Sequence, residues 1–158
     1  MTAFTIDTMS EADLDAAIAI DLEAFTPGEL GAGHEEPRVV RERSLREELA
    51  RTWARLRVAR ASDGAVVGYS LYWHVVDEIH LLNVAVTIGA RRRGIGRALV
   101  AELVAHGRAN GATRVLLEVR ASNSAAIAMY ETLGFERFNL RAHYYSDGED
   151  AVEMSRSI

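Results

Sequence analysis

The chain has 158 residues, of which 49% are hydrophobic and 26% are charged, and its formal net charge is −5. This length suits a single globular domain over residues 1–158, and no apolar run approaches the roughly 20 residues of a membrane-spanning helix. Because the sequence has no cysteine, it excludes disulfides, thiolate metal sites and a covalent cysteine intermediate. We expect a cytoplasmic protein that binds no membrane, and the acidic balance argues against direct nucleic-acid binding.

The first third of the chain predicts a strand, two helices and a long loop between the helices. Residues 4–9 alternate in polarity, and Ser10 is a candidate N-cap for a helix over about 11–25. The loop 26–37 contains both prolines of the chain, and long loops inside compact domains are often functional. A second helix is predicted over 39–51. The predicted buried stripes of the two helices are Leu14, Ile18 and Leu22, and Val39, Leu45 and Leu49.

The rest of the chain predicts hairpins followed by alternating helices and strands. Turn signals separate three strand-like runs, and glycines end the two later helices. The predicted strands are 53–61, 65–76, 78–86, 113–119, 135–142 and 151–155, and the predicted helices are 94–110 and 122–134. The order β-α-α-β-β-β-α-β-α-β-β predicts an α/β (α+β) fold, with a mixed, mostly antiparallel sheet of about seven strands and about four helices on its two faces.

A turn rich in glycine and arginine marks the start of the helix predicted over 94–110. The run RRRGIGR at 91–97 follows a strand, so unpaired N–H groups at the helix start could bind an anion such as pyrophosphate. The sequence has no lysine, which excludes the Gly-Lys pair of a P-loop, and Leu99 stands where a dinucleotide fingerprint needs its third glycine. By itself the turn is equally compatible with solvated arginines on a helix end.

Two stretches single out one family. The segment LLEVRASNSAAIAMYETLGF at 116–135, taken with RRRGIG, resembles the acetyl-CoA-binding half of the GCN5-related N-acetyltransferase (GNAT) superfamily. Its Arg/Gln-x-x-Gly-x-Gly/Ala pattern is filled by Arg91, Gly94 and Gly96. More narrowly, LNVAV, LEVRASN, A-x-x-x-Y-x-x-LGF and YY-x-DGEDA resemble bacterial ribosomal-protein alanine N-acetyltransferases of the RimI type. The likeness covers about residues 77–154.

The resemblance implies acetyl-CoA as cosubstrate, a GNAT fold and direct acetyl transfer to an amine. The end of the strand 78–86 would bulge or splay and leave backbone groups free for the pantetheine arm and the thioester oxygen. Asn123 would also reach the coenzyme, although an N-cap role is an alternative. The implied cofactor-binding residues are Val84, Ala85, Val86, Arg91, Arg92, Arg93, Gly94, Ile95, Gly96, Arg97 and Asn123.

The resemblance also implies proton-transfer roles for two side chains. Glu118 matches the glutamate of the LEVR motif, which implies a general base for the acceptor amine; the alternative is a surface carboxylate paired with Arg114 or Arg120. Tyr130 is implied to be the general acid for the departing thiolate, while its helical spacing is also that of a core aromatic. The five histidines show no metal-ligand spacing, so we expect no metal.

The resemblance implies a protein or peptide N-terminus as acceptor, with alanine of a ribosomal protein favoured. Tyr144 and Tyr145 would hold the peptide, and because neighbours on a strand point to opposite faces, one of them would face the substrate. The loop 26–37 is longer and richer in glycine than in the resembled enzymes and lacks their Pro-Trp, which implies a differently shaped acceptor cleft. The alternatives are a small-molecule amine, a protein lysine or a non-catalytic acetyl-CoA sensor.

Overall fold

A computed structural model describes residues 3–25 and 34–158, so most of the predicted loop 26–37 lies outside the described residues. Within these ranges, seven strands and four α-helices follow one another in the predicted order. The strands are β1 Phe4–Thr8, β2 Ala54–Ala61, β3 Val66–Val75, β4 Glu78–Val86, β5 Arg114–Arg120, β6 Glu136–Arg141 and β7 Ala151–Ser157. The helices are α1 Leu14–Ala24, α2 Pro37–Ala50, α3 Ile95–Ala109 and α4 Ser124–Thr132, with short 3-10 segments at Glu11–Asp13 and Ile88–Ala90.

The strands form one sheet in the order β1-β2-β3-β4-β5-β7-β6. Neighbouring strands are antiparallel except β4 and β5, which are parallel and are connected through α3. The last strand inserts between β5 and β6, so β6 becomes the edge of the sheet and is exposed along its whole length. The predicted fold class is confirmed.

The two faces of the sheet carry separate hydrophobic clusters. On one face, Leu103 of α3 and Ile127 of α4 pack with Leu117 of β5. On the other face, Ile18 of α1 and Leu45 of α2 pack over the β2–β4 half of the sheet. Side chains alternate between the two faces along a strand, so the polar residues of β5 and β7 lie on the same face of the sheet as α1 and α2. They lie outside the β2–β4 half of the sheet, on which these helices pack.

The buried faces of α1 and α2 differ in part from the prediction. Leu14 and Ile18 are buried as predicted, whereas Leu22 is 39% exposed and Val39 is 52% exposed, so these two predictions were wrong. Asp21 is buried instead, because its carboxylate accepts hydrogen bonds from groups on β3 and α2. Helical spacing predicts which side chains share one face of a helix, but not which part of that face packs against the sheet.

No helix in residues 3–25 and 34–158 is long and apolar enough to cross a membrane.

The tight connection between β3 and β4 holds a β-branched residue in the left-handed region. Val76 has a φ of 56° and is 88% exposed. This backbone conformation costs such a residue about 1–2 kcal/mol, and asparagine tolerates it better. We expect Val76→Asn to raise the free energy of unfolding by about 1 kcal/mol, which for a domain of this size raises the melting temperature by about 2–4 °C in a thermal scan followed by circular dichroism.

Val75→Asn is the matched control for Val76→Asn. Val75 is also exposed, but it belongs to β3 and has ordinary strand backbone. Asparagine is disfavoured in strands, so this control is expected to gain no stability. A melting temperature of Val76→Asn at or below that of the wild type would show that the left-handed valine carries no strain.

Candidate active site

The parallel strands β4 and β5 separate part-way along their length. Their pairing ends at Leu81 and Leu117, whereas β5 continues to pair with β7 as far as Arg120. A bulge in β4 accompanies the separation and lies just before Asn83. Residues 84–86 keep their partners on β3, so within the described part of the chain their backbone groups that point toward β5 have no strand partner. The resemblance implied a bulge or splay at the end of residues 84–86. The structure instead has the bulge and the strand separation just before these residues.

A cavity of about 700 Å³ opens between the end of β4, the N-terminal end of α3 and one side of α4. Residues Met129 and Thr132 of α4 form part of its wall. Of the residues implied to bind the coenzyme, Arg93 does not line this cavity. The others all line it: Val84, Ala85, Val86, Arg91, Arg92, Gly94, Ile95, Gly96, Arg97 and Asn123.

The glycine turn shapes the start of α3. Gly94 is the N-cap and has a φ of 81°, a conformation that glycine adopts without steric cost. The first N–H groups of an α-helix have no intrahelical acceptor and carry the positive end of the helix dipole. A Cβ at Gly96 would lie 3.6 Å from Met129 Sδ and 3.9 Å from Val86 Cγ2, both in the cavity wall. The absence of that Cβ leaves room for a ligand against the backbone, so the turn fits a pyrophosphate.

Two arginines of the turn bridge to neighbouring elements. Arg91 Nε donates to the Val86 carbonyl oxygen at 3.0 Å, and Arg97 Nη1 donates to the Thr132 hydroxyl at 2.7 Å. Both arginines stay exposed and line the cavity. Their guanidinium groups therefore add positive charge at its mouth, where phosphate groups would enter.

Asn123 has the N-cap role that the sequence left as an alternative. Its Oδ1 accepts a hydrogen bond from the Ala126 N–H at 3.2 Å. Asn123 also lines the 700 Å³ cavity. The cap therefore fixes this side chain at the cavity wall.

A second cavity, of about 510 Å³, opens on the α1 and α2 side of the strand separation. Glu118, Tyr130 and Tyr145 line it. It shares wall residues with the first cavity, among them Val84 and Asn123. The two cavities therefore adjoin where β4 and β5 part, and a ligand of the first can meet a ligand of the second there.

Glu118, which lines this second cavity, pairs with a histidine. Its Oε2 accepts a hydrogen bond from His80 Nε2 at 2.8 Å. The alternative pairing with arginine was wrong, because Arg114 binds Glu78 and Arg120 binds acidic residues of the β6–β7 connection. His80 was missed because no local sequence pattern links a histidine to a carboxylate 38 residues away in the chain.

Tyr130 combines the two roles that the sequence offered. Its ring packs edge-on against Phe135, with ring centres 5.6 Å apart, and belongs to the core cluster of α3 and α4. The side chain also lines the second cavity. Burial raises the pKa of Tyr130 to about 12, so its hydroxyl stays protonated at neutral pH.

Comparison with known proteins decides the family. The sequence profile of the Acetyltransferase (GNAT) family matches residues 16–135. The chain belongs to this family. It is an acetyl-CoA-dependent N-acetyltransferase, and acetyl-CoA is its cosubstrate, as the resemblance implied.

Individual relatives include a ribosomal-protein alanine N-acetyltransferase and an N-alpha-acetyltransferase. The [ribosomal protein bS18]-alanine N-acetyltransferase of Escherichia coli K12 is 42% identical over 99 residues, which cover 61% of this chain and 67% of the relative. The N-alpha-acetyltransferase of Sulfurisphaera tokodaii is 42% identical over 109 residues, which cover 61% and 65%. The crystal structure of the Escherichia coli ribosomal-protein-S18-alanine N-acetyltransferase superposes with a TM-score of 0.82 at 32% identity, covering 99% of this chain and 94% of that one.

The paired tyrosines of this GNAT enzyme lie in the β6–β7 connection, not on a strand. The prediction that they point to opposite faces of a strand was therefore wrong. The rings of Tyr144 and Tyr145 contact each other, with centres 5.1 Å apart. Tyr145 lines the second cavity, and the Arg120 guanidinium lies 4.1 Å from the centre of its ring. Tyr144 is 44% exposed and lies beside Arg141. Tyr145 is thus the tyrosine that faces the cleft.

A buried polar network holds the opposite wall of the cleft. The Tyr69 hydroxyl donates to Asp21 at 2.6 Å and accepts from Arg41 at 3.0 Å and from Asn83 at 2.6 Å. Arg41 also forms an ion pair with Asp21. Burial raises the pKa of Tyr69 far above its ordinary value, so this residue acts as a neutral junction. The network connects α1 and α2 to β4 beside the β4 bulge. No local sequence pattern predicts it, because its members are far apart in the chain.

The GNAT enzyme shows no metal centre in residues 3–25 and 34–158. No three histidine, aspartate or glutamate side chains come together there in a way that could hold an ion. His34, Glu35 and Glu36 instead lie just before α2, where the Glu36 carboxylate accepts backbone hydrogen bonds as the N-cap.

Proposed function

We propose that this GNAT enzyme acetylates the N-terminal α-amine of a protein, and that a ribosomal protein beginning with alanine is its acceptor. The observation that carries the proposal is the place of Glu118, a carboxylate in the second cavity where that cavity adjoins the coenzyme cavity. The names of the Escherichia coli and Sulfurisphaera tokodaii relatives support an α-amine as the acceptor. A ribosomal acceptor would place the reaction in the cytoplasm.

The first step is deprotonation of the acceptor. An α-amine has a pKa near 8, so at neutral pH most of it is protonated and cannot attack. The Glu118 carboxylate takes one proton from the ammonium group, directly or through a water molecule. The neutral nitrogen then forms a bond to the carbonyl carbon of the acetyl group.

Backbone groups polarise the acetyl carbonyl. The edge of residues 84–86 that has no strand partner faces the point where the two cavities adjoin. An N–H of this edge donates to the thioester oxygen and stabilises the negative charge that develops on it. The pantetheine amides take the place of a strand along the same edge, and the start of α3 holds the pyrophosphate.

Tyr130 supplies the proton for the leaving group. When the carbon–sulfur bond breaks, the thiolate sulfur takes the phenolic proton, and the acceptor nitrogen keeps the acetyl group and releases its second proton to water, which leaves a neutral amide. The tyrosinate then regains a proton from solvent. The place of Tyr130 in the wall of the second cavity supports this role, and its pKa of about 12 means that the hydroxyl carries its proton at neutral pH.

The shape of the cleft favours a peptide over a small amine. Tyr145 lines the cavity wall on the side of the β6–β7 connection, and Tyr144 continues the aromatic surface outward. Strand β6 beside them is exposed along its length. A chain that extends from the acceptor amine therefore has a surface along which it can leave the cavity.

Mass spectrometry of a peptide panel tests the proposal. The panel contains peptides with free α-amines that begin with alanine, serine and methionine, and an N-blocked peptide with one lysine. After incubation with enzyme and acetyl-CoA, we expect acetyl on the α-amine of the alanine peptide. Since the enzyme has no lysine, any acetyl-lysine detected comes from the peptide. Modification of the lysine peptide alone, or of no peptide despite acetyl-CoA binding, would reject the proposed acceptor.

A further inference from the structure

We infer that His80 is a positioning residue for Glu118: its neutral imidazole donates Nε2–H to one carboxylate oxygen and leaves the other oxygen for the acceptor amine. The inference rests on the proposed function in so far as Glu118 is the base. It adds that a second ionisable group, which the resemblance does not include, sets the orientation of that carboxylate.

The backbone holds the two side chains in a fixed relation. His80 of β4 is the strand partner of Leu116, two residues before Glu118 on β5. Both side chains point to the α1 and α2 side of the sheet, where Nε2 and Oε2 are 2.8 Å apart. The pairing of β4 with β5 ends only one residue after His80. The contact therefore lies in the last rigid part of the strand pair, next to the reacting groups.

The His80 imidazole also contacts an aromatic ring of the neighbouring strand β3. The Trp73 ring meets the His80 ring edge-on at 88°, with centres 6.4 Å apart. Trp73 Nε1 in turn donates to Glu48 Oε2 of α2 at 2.8 Å, and the Arg51 guanidinium lies 5.6 Å from the centre of the Trp73 ring. A chain of contacts from α2 thus limits rotation of the imidazole and keeps Nε2 aimed at the carboxylate.

The charges around His80 decide how the pair responds to pH. The hydrogen bond to Glu118 raises the pKa of His80 above its ordinary value, against the opposing effect of burial. A protonated imidazole would convert the contact into an ion pair, in which the carboxylate is a weaker base. The groups that face His80 are Glu78 on β4, Glu118 on β5, Arg141 on β6, Glu153 on β7, and uncharged Trp73 on β3. Acetyl transfer therefore needs His80 in its neutral form.

The dependence of kcat/KM on pH gives the first test. With saturating acetyl-CoA and the alanine peptide, the acid side of the wild-type profile is expected to lose activity as His80 takes up a proton, with a slope of log kcat/KM against pH of about 1. Because Glu118 takes the proton of the ammonium group, protonation of the acceptor amine does not add to this loss. In His80→Gln, the amide can still donate a hydrogen bond but cannot ionise, so this acid-side loss is expected to disappear, with activity near pH 9 within about threefold of the wild type.

His80→Leu separates orientation from ionisation. It removes the donor, so kcat is expected to fall about tenfold across the pH range while KM for the peptide changes little. His74→Gln is the matched control: His74 lies on β3 and pairs with His106 rather than with Glu118, so its profile is expected to keep the acid-side loss of the wild type. A His80→Leu enzyme with wild-type kcat and slope would overturn the inference.

A titration without turnover keeps the inference testable if the proposed acceptor is wrong. The imidazole signal of His80, assigned by its loss in His80→Gln, is followed by ¹H–¹³C NMR spectroscopy in wild type and in Glu118→Gln. We expect its midpoint to move to lower pH in Glu118→Gln, because the carboxylate that stabilises the imidazolium is gone. An unmoved midpoint would overturn the pairing, whereas a moved midpoint with no acetylated peptide would reject the acceptor alone.

Discussion

Glu118→Gln is expected to lower kcat for acetyl transfer by about 10²- to 10⁴-fold and to leave the Kd for acetyl-CoA within about twofold of the wild type. The amide has nearly the same shape as the carboxylate and can still accept the hydrogen bond from His80. It cannot take a proton from the acceptor. Steady-state kinetics with the alanine peptide and calorimetric titration of acetyl-CoA measure the two quantities separately.

The pH dependence of the Glu118→Gln deficit makes this prediction specific to a base. Above pH 9 most of an α-amine is already neutral, so the variant is expected to recover part of the lost rate there. Glu131→Gln is the matched control, because Glu131 is a carboxylate in an ion pair with Arg137 and lines neither cavity. Equal activity of wild type and Glu118→Gln across the pH range would remove Glu118 from the mechanism.

Gly96→Phe is expected to weaken acetyl-CoA binding about 100-fold, which corresponds to about 2.7 kcal/mol. A side chain at this position would extend into the coenzyme cavity toward Met129 and Val86. The phenyl ring would fill space that the pantetheine or pyrophosphate needs. Gly96 lies in the first turn of α3 with ordinary helical φ, so the substitution does not strain the backbone.

Ala101→Phe controls for the added aromatic ring. Ala101 lies on the same helix but is exposed and lines neither cavity, so this variant is expected to bind acetyl-CoA like the wild type. Thermal unfolding of both variants checks that each is folded. If folded Gly96→Phe bound acetyl-CoA with wild-type affinity, the coenzyme would have to lie elsewhere than between α3 and α4.

The sequence predicted the coenzyme half of the site better than the acceptor half. All the residues implied for the coenzyme except Asn123 are close together in the chain, at the end of one strand and the start of the next helix, and nine of these ten line one cavity. The acceptor side combines residues from distant segments, from α1 and α2 to the β6–β7 connection. Tyr144 and Tyr145 show the limit: their adjacency was interpreted with strand geometry, but they lie in a connection where backbone alternation does not apply.

Local sequence patterns by themselves determined the order and type of the elements, the glycine turn before α3 and the membership of the family, because periodicity, turn residues and short motifs depend on neighbours in the chain. Only the tertiary structure decided that β7 lies between β5 and β6, that Asp21 rather than Leu22 is buried, and that Glu118 pairs with His80 rather than with an arginine. The last contact joins residues 38 apart in the chain. It depends on the parallel register of β4 and β5 and on the place where they separate, which no local pattern encodes.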